Sequence, residues 1–238
     1  MAYRLLPFRQ YDENDVINLF ANDTSDAKPT TNGNGSAGVF VSVKSGGGNF
    51  SKDPITYVDR TELSASYDHV KNQYPEVQLK VTAAAAGAFA GEVLGITLKQ
   101  TLEKDENEEK LLYNPVKRDE LQAVLSGQAV PIATKGIFTL TSDAFDNANN
   151  GTPSCVPGTA AVISPATAGK VRGVAFSSLY GGLATSVTGL AHVGQGGTVV
   201  KYTTDHVVGT WIGSGTRTSV GPITDVHAGA YGVLKLNV

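Results

Sequence analysis

Apolar and polar residues alternate in many short stretches of this chain, most clearly in GQAVPIATKGIFTL, residues 127–140. Val130, Ile132, Phe138 and Leu140 fall in one period-2 phase, as half-buried strands or a hairpin require. The stretch contains no acid and no histidine, and its one charged residue is a lysine. The pattern therefore predicts a strand, a kink and a second strand that serve as scaffold.

Two residues interrupt this stretch. Pro131 cannot donate a backbone hydrogen bond, so we expect its strand to lie at an edge or to turn that position outward. Gly136 stands where a bulge or a tight turn would require a positive φ. Both residues fit the start and end of strands better than a helix.

Similar strand patterns recur from about residue 85 to the C-terminus, with glycine or proline at nearly every boundary. This spacing is typical of an antiparallel β-barrel or sandwich. One short helix is predicted over residues 118–125, where Leu121, Val124 and Leu125 share a face and Gly127 follows at C′. The expected fold class is mainly β: an antiparallel barrel or sandwich body with one short helix and an extended N-terminal arm.

The first 37 residues predict that arm and a linker. The stretch YRLLPFRQYDENDVINLFA is apolar but too short to bury its own side chains, and a polar Gly/Asn/Thr-rich stretch follows it. Asp12 or Asn14 is placed to cap a short helix through Leu19. We expect the arm to dock on a neighbouring subunit or, alternatively, on its own domain. The candidate partner-binding residues are Leu5, Leu6, Phe8, Val16, Ile17, Leu19 and Phe20.

The predicted organisation has three parts. Residues 1–37 form the arm and linker, residues 38–84 an extended β region, and residues 85–238 a barrel-like body. The middle part begins with the alternating GVFVSVKS and later contains the alternating residues 77–81. No internal repeat appears at the spacing of solenoids or propellers.

Composition supports a β protein with covered surfaces. Of the 238 residues 41% are hydrophobic but only 17% are charged, and 27 are glycine. Few charges suit surfaces that a partner will cover, because interface cores are depleted in charge. The net charge of −3 and the absence of a basic cluster larger than Lys117-Arg118 argue against nucleic acid as a partner.

The number of cysteines and the N-terminal sequence bear on the cellular compartment in which the protein folds. Cys155 is the only cysteine, so the chain has no intramolecular disulfide and no cysteine-based metal site. The N-terminal sequence lacks the apolar region of a signal peptide, and no apolar run is long enough to span a bilayer. We expect synthesis in a cytoplasm and no membrane partner.

Two acidic stretches have the donor atoms of a cation site but not its spacing. Residues 103–109, EKDENEE, are interpreted as a solvated hairpin tip. Residues 142–152, SDAFDNANNGT, are interpreted as an Asx-rich surface turn, with a weak hard-cation site as the alternative.

Histidines and glycine clusters give no catalytic pattern. Asp205-His206 and the pair Asp225 and His227 lack a third ligand or a nucleophile, so we interpret these histidines as hydrogen-bonded surface residues. The clusters GQGGT and GSGTR, residues 194–198 and 213–217, are interpreted as hairpin turns because no helix follows them. No catalytic, cofactor-binding or metal-binding residue is assigned, and an enzyme is not expected.

Three stretches carry a family resemblance: GQAVPIATKGIFTL (127–140), PGTAAVIS (157–164) and the closing residues 207–238. With them, the C-terminal two-thirds of the chain resembles the capsid decoration (cement) proteins of tailed bacteriophages. The last strand of those proteins commonly ends as G-x-Y-x-V-x-L, and the sequence GAYGVLKL, residues 229–236, stands near that pattern. The N-terminal YRLLPFRQYDENDVINLFA looks like the opening of virion proteins of marine and cyanobacterial tailed phages, although the smallest decoration proteins lack so long an extension.

The resemblance implies a virion structural protein on the exterior of the phage head. Such a protein would bind the major capsid protein, assemble as a homotrimer at three-fold or quasi-three-fold positions, and stabilise the capsid. Two alternatives stay open. One is a tail, neck or fibre-base component. The other is a carbohydrate- or surface-binding β module that exposes Trp211 with Tyr180 or Tyr202, unless Trp211 is a core residue.

Overall fold

Strands dominate the fold in a computed structural model of the chain, which describes residues 4–21, 35–43, 80–102, 104–105, 107, 109–125, 128–146, 155–179, 192–193, 199–200, 202–218 and 228–238. The strands are β1 (Leu5–Gln10), β2 (Val16–Ala21), β3 (Phe40–Val43), β4 (Lys80–Ala83), β5 (Gly95–Thr97), β6 (Gln100–Thr101), β7 (Ala123–Val124), β8 (Ala129–Ala133), β9 (Lys135–Thr141), β10 (Ala160–Ile163), β11 (Val171–Val174), β12 (His192–Val193), β13 (Val199–Val200), β14 (Val207–Arg217) and β15 (Gly229–Asn237). The α-helix α1 spans Pro115–Glu120, and 3-10 turns lie at Glu13–Asp15, Ala90–Glu92, Phe176–Ser178 and Thr204–His206.

Five strands close into a small barrel in the order β2-β4-β3-β5-β8. β2 runs antiparallel to β8, from Val16 opposite Ala133 to Phe20 opposite Ala129, and pairs in parallel with β4. A barrel has no free edges, so each backbone ladder is completed within the ring. The barrel cluster of buried side chains consists of Val39, Val41, Val81, Val124, Val130 and Ile132.

Six strands form an antiparallel sheet in the order β1-β9-β15-β14-β10-β11. Its buried face carries the main core, to which Phe138, Trp211 and Leu234 contribute side chains with no exposed surface. Phe40 and Ile96, from barrel strands β3 and β5, belong to the same core. The sheet and the barrel are therefore held together by one apolar layer, whose burial is the main favourable term in folding.

The predicted mainly β fold with antiparallel sheets and one short helix is confirmed. Val130, Ile132, Phe138 and Leu140 are all buried, as their shared phase predicted. The first two enter the barrel cluster and the last two enter the main core, because the chain passes from β8 to β9 at Thr134. One alternating stretch thus serves both layers.

The kink in this stretch has the predicted geometry. Gly136 has φ +137°, and a Cβ at this position would lie 2.6 Å from the carbonyl oxygen of Gln10. Pro131 lies opposite Asn18 of β2, and its carbonyl accepts from the N–H of Leu98, just beyond the last residue of β5. Proline has no N–H to donate towards Leu98, but β5 has already ended there, so the proline interrupts no ladder within the strands.

The helix lies earlier than predicted. Asn114 caps α1 by accepting from the N–H of Lys117, and Pro115 occupies the first turn, where its missing N–H costs nothing. After Glu120 the chain turns through Gln122, which has φ +49°, and enters β7. The prediction of helix over residues 121–125 is therefore wrong, and Gly127 lies outside the described residues.

The N-terminal segment is extended, as predicted, but it lies within this chain's own sheets. Asp12 caps the 3-10 turn Glu13–Asp15, and the chain becomes a strand at Val16, so the predicted helix through Leu19 is wrong. β1 is an edge strand of the six-stranded sheet, and β2 completes the barrel. The barrel takes strands from all three predicted parts: β2 from residues 1–37, β3 and β4 from residues 38–84, and β5 and β8 from residues 85–238.

Candidate functional site

Most of the predicted partner-binding residues serve the protein's own core. Leu6 is buried, with 4% of its surface exposed, while Phe8 on the same strand is 65% exposed. The side chain of Phe20 lies outside the described part of the molecule. Leu5 and Val16 pack against the main core, and Ile17 and Leu19 pack against the barrel cluster. Of the two docking sites left open for the N-terminal segment, these five side chains occupy the one on their own domain.

A groove runs beside β1 on the described surface. Its inner part has a volume of about 230 Å³ and lies between Leu5 and Arg9 on one side and the end of α1 on the other. Its outer part opens past Tyr11 towards β2 and β8. We call this feature the β1 groove; Arg9, Leu98 and Gln122 line both of its parts.

Arg9 crosses the β1 groove and holds its guanidinium near two neutral acceptors. One terminal nitrogen donates to the carbonyl oxygen of Leu98 and the other to Oε1 of Gln122, both at 3.4 Å. These distances are at the long end for N–H···O hydrogen bonds. Among the described residues no carboxylate lies within 4.0 Å of this side chain. Arg9 therefore has no ion-pair partner among the described residues, although Glu13, Asp119 and Glu120 also line the groove.

The opposite wall of the groove is fixed by backbone contacts. Gln122 has φ +49°, the left-handed region that non-glycine residues seldom adopt. Its carbonyl accepts from the N–H of Gln100, and the side-chain amide of Gln100 donates to the carbonyl of Leu121 at 2.6 Å. This arrangement directs the Gln122 side chain towards Arg9. Unusual backbone conformations of this kind cluster at binding sites.

Two exposed apolar side chains lie near the groove at the start of α1. Tyr113, just before the N-cap Asn114, and Val116, in the first turn, expose 72% and 69% of their surfaces. Val116 and the groove residue Glu120 are four residues apart and so lie on the same face of the helix. We call these two side chains the α1 patch, and the α1 patch and the β1 groove together the docking face.

A buried ionic cluster ties distant parts of the chain together. Asp146 pairs with Arg172 of β11 at 2.8 Å and accepts from the hydroxyl of Ser164 at 2.7 Å. Arg4, almost fully buried, donates to the carbonyl of Gly169 at 3.4 Å. Burial, with Arg4 nearby, lowers the pKa of Lys170. These contacts connect the start of β1 with the β10–β11 turn.

Ser164 has a structural role in that turn. Its hydroxyl oxygen accepts from the backbone N–H groups of Ala166 and Thr167, both at 3.1 Å, while it donates to Asp146. A serine that accepts from the next residues in this way forms a turn typical of Ser and Thr. The Asx-rich stretch is thus used, at Asp146, for an internal ion pair.

His206 lies in an aromatic cluster instead of on the surface, which corrects its interpretation from the sequence. Its ring stacks on Phe89 with centroids 4.3 Å apart and meets Tyr202 edge-on. Nδ1 accepts from the N–H of Thr203 at 3.1 Å. Burial lowers the pKa of His206 and, in the same cluster, raises the pKa of Tyr202 to about 12.

The acidic run is a hairpin tip, but it is not fully solvated. Lys104 and Lys110 form an antiparallel bridge across the run. Asp105 is buried and accepts from the N–H groups of Asn107 and Glu109 at 2.9 Å each. At the tip of the loop the carboxylate of Asp105 takes the place of backbone carbonyls as the acceptor for these two N–H groups. These hydrogen bonds explain its burial.

The cluster GSGTR lies in β14, so its prediction as a hairpin turn is wrong. Gly213 pairs with Val233 and Gly215 with Tyr231. A Cβ at Gly215 would lie 2.6 Å from the Tyr231 hydroxyl oxygen, so the glycine leaves room for the ring across the strands. The cluster GQGGT and residues Tyr180, Asp225 and His227 lie outside the described residues.

Trp211 is a core residue. It has no exposed surface and meets Phe145 edge-on, with centroids 5.8 Å apart. Tyr202 is also buried. Neither ring is available on a sheet face for stacking on a sugar, so the structure gives the carbohydrate-module alternative no support from these two side chains.

In the part of the chain that the structure describes, no three histidine, cysteine, aspartate or glutamate side chains gather as a metal site. No helix in the same residues combines the length and apolar character needed to cross a bilayer.

No protein-family model, curated protein or solved structure matches this chain. The resemblance to decoration proteins therefore remains an expectation drawn from the sequence motifs.

The β1 groove and the ionic cluster were not foreseen from the sequence. Arg4, Arg9 and Arg172 are isolated basic residues in β stretches, and nothing in their local sequence marks them. The one available signal was the position of Arg9 directly after the apolar residues Leu5 to Phe8, which places a charge at the end of an apolar stretch. Its partners, Leu98 and Gln122, are about 90 and 113 residues away.

Proposed function

We propose that this protein is a virion structural protein of the decoration type. It binds the outer surface of a tailed-phage head, bridges neighbouring major capsid subunits and so stabilises the shell. In this proposal it acts as a homotrimer at three-fold or quasi-three-fold positions. The motif resemblance motivates the proposal, and the β-rich body is consistent with it.

The observation that carries the proposal is the docking face formed by the Tyr113 and Val116 patch and the β1 groove. Apolar side chains left exposed together next to a groove mark interaction surfaces, and tyrosine is enriched in interfaces. The N-terminal segment is used internally, so it does not lace subunits as a free arm. Bridging occurs instead through the surface of the folded body.

The energetics suit a protein present in many copies. An interface of about 800 Å² per partner is the standard size for a stable contact. Repeated around a shell, such contacts act together, so modest individual affinities are sufficient to resist expansion.

The test uses purified heads that lack this protein, to which the full-length chain is added. Cryo-microscopy of the particles should show density repeated across the capsomer lattice. Density confined to a single vertex would favour a tail or neck component, and the absence of binding would contradict the proposal.

Variants connect the binding to the docking face. The double variant Tyr113→Ser, Val116→Ser should weaken binding to heads by about tenfold or more, because both side chains lose apolar burial. Val156→Ser is the matched control, since Val156 is also apolar and 52% exposed but does not line the groove. Equal weakening by the control would show that the effect is not specific to this face.

A further inference from the structure

We propose that the β1 groove receives an extended peptide segment carrying one carboxylate, and that Arg9 recognises that carboxylate. The segment belongs to the shell protein. This choice of partner rests on the proposed function, whereas the recognition chemistry rests on the groove alone.

Arg9 lacks an ionic partner in the described chain. Its guanidinium is held across the groove by two neutral acceptors at 3.4 Å, and no carboxylate of the described chain pairs with it. A carboxylate accepts two parallel N–H bonds from a guanidinium at about 2.8 Å, and such bonds are roughly twice as strong as neutral ones. An incoming carboxylate therefore offers Arg9 better acceptors than Leu98 and Gln122 do.

The shape of the groove suits an extended segment. The inner part has a volume of about 230 Å³, with Leu98 and Leu121 among its apolar lining residues, and is smaller than the usual pocket for a drug-sized molecule. The outer part, about 920 Å³, continues past Arg9 and is open to solvent. A side chain therefore fits the inner part while its adjacent backbone follows the outer part.

The charged residues of the groove limit the charge of the ligand. Arg4 and Glu120 line the inner part together with Arg9, and Glu13, Asp119 and Lys99 line the outer part. This mixed lining is not the continuous basic surface that a polyanion such as nucleic acid requires. A single carboxylate requires only one guanidinium, which Arg9 supplies.

Strand addition at the edge of β1 would be a different mode of peptide binding. β1 is an edge strand, which in principle accepts another strand. However, Pro7 and the irregular register between Leu5 and Arg9 interrupt its ladder, two devices that protect edges from pairing. Recognition therefore depends on the Arg9 side chain more than on backbone pairing.

The chemistry is tested with the full-length protein and a capped five-residue peptide that has one glutamate between two valines. The glutamine version of the peptide is the control. Titration followed by NMR should show saturable shifts at the Arg9 side chain and at the Gln122 amide. The glutamine peptide should bind at least about tenfold more weakly, because a charged acceptor is lost.

Variants of the protein complete the peptide test. Arg9→Gln should lose the preference for glutamate, and Arg9→Lys should retain only part of it because lysine lacks the planar fork. Lys235→Gln removes an exposed cation that does not line the groove, and it should bind like the wild type. Circular dichroism confirms that each variant is folded. Equal binding of the two peptides, no binding of either, or an unchanged preference in Arg9→Gln would overturn the inference.

The same variants, added to heads that lack the protein, identify the source of the segment. Weaker head binding by Arg9→Gln, with Lys235→Gln unaffected, supports the shell as the source. If the wild type binds heads and Arg9→Gln binds equally well, this inference fails while the proposed function stands. If the peptide binds at Arg9 but heads do not bind the wild type, the proposed function fails and the recognition chemistry stands.

Discussion

The N-terminal strands β1 and β2 and the C-terminal hairpin β14–β15 both contribute apolar side chains to the core, yet they enter the fold by different routes. The hairpin strands pair with each other along most of their length, from Gly209 opposite Leu236 to Arg217 opposite Gly229. β1 and β2 pair instead with β9 and β8, as in Leu5 opposite Leu140. Hairpin contacts are local, whereas closing the N-terminal contacts costs more chain entropy. A strand-forming sequence therefore specifies an extended conformation but does not specify which strand it pairs with.

The two routes have different structural consequences. The hairpin is central to the six-stranded sheet, with β9 on one side and β10 on the other. The N-terminal strands act as a clasp: β2 completes the barrel, β1 borders the sheet, and Arg4 reaches the β10–β11 turn. A segment that resembles a free arm is therefore required by both layers.

Removing the clasp gives the largest expected effect. Deletion of residues 1–21 takes away β1, β2 and the core side chains of Leu6 and Val16, and it opens the barrel. Because total stability is only about 5–15 kcal/mol, we expect the truncated chain to lose its cooperative thermal transition. Circular dichroism and calorimetry measure this directly.

A synthetic peptide of residues 1–21 provides the control for that deletion. Added in trans, it should restore part of the cooperative transition, because it supplies the missing strands. A truncated chain that melts like the full-length protein would contradict the clasp and return the segment to the role of a dispensable arm.

Two single substitutions within β1 test its packing, and the larger of their effects ranks next after the deletion. Leu6→Ala should lower the free energy of unfolding by about 2–5 kcal/mol, the usual cost of truncating a buried leucine. Phe8→Ser should change it by no more than about 0.5 kcal/mol, since Phe8 is 65% exposed. Denaturant unfolding of both variants measures the difference, and similar values would show that β1 is not packed on the sheet.

The outcome along residues 127–141 shows what the sequence can predict. Burial of Val130 and Phe138 follows from period-2 alternation, and the positive φ of Gly136 follows from its place between two strand patterns. These features depend on neighbours within a few residues. They can therefore be predicted from the local sequence.

Features that depend on distant residues were predicted poorly. The helix was placed too late because the Asn114 cap and the turn at Gln122 were not recognised as its limits. The Arg9 groove and the ion pair of Asp146 with Arg172 bring together residues from separate strands. No local sequence pattern encodes these long-range contacts, because they depend on how the strands pack in the tertiary structure.

Substitution of Gly136, where β9 lies against the end of β1, should have a smaller effect on stability. Gly136→Ala places a Cβ against the Gln10 carbonyl and on a backbone with φ +137°, so we expect a loss of about 1–3 kcal/mol. Gly158→Ala is the matched control: its φ is +81°, but no atom lies within 4 Å of the added Cβ. Chemical denaturation should show the larger loss at Gly136, and equal losses would mean that contact with the N-terminal segment contributes nothing.

The smallest expected effect is a pH dependence at the entrance to the hairpin. His206 directly precedes β14, and burial lowers its pKa, while Asp205 and Glu92 act in the opposite direction. The unfolded chain binds this proton near pH 6.5, whereas the folded chain resists it because Nδ1 must accept from Thr203. The unfolded state thus binds more protons just below that pH, and stability falls as pH decreases through the folded pKa.

His206→Asn isolates this term, because the asparagine oxygen can replace Nδ1 as an acceptor but does not titrate. Above about pH 6.5 the variant should differ from the wild type only by lost ring contacts with Phe89 and Tyr202. Below it, the wild type should lose stability more steeply than the variant, as followed by denaturant midpoints across pH. Parallel pH profiles would mean that the fold tolerates the protonated ring, and that the hairpin entrance is less tightly packed than its stacking on Phe89 implies.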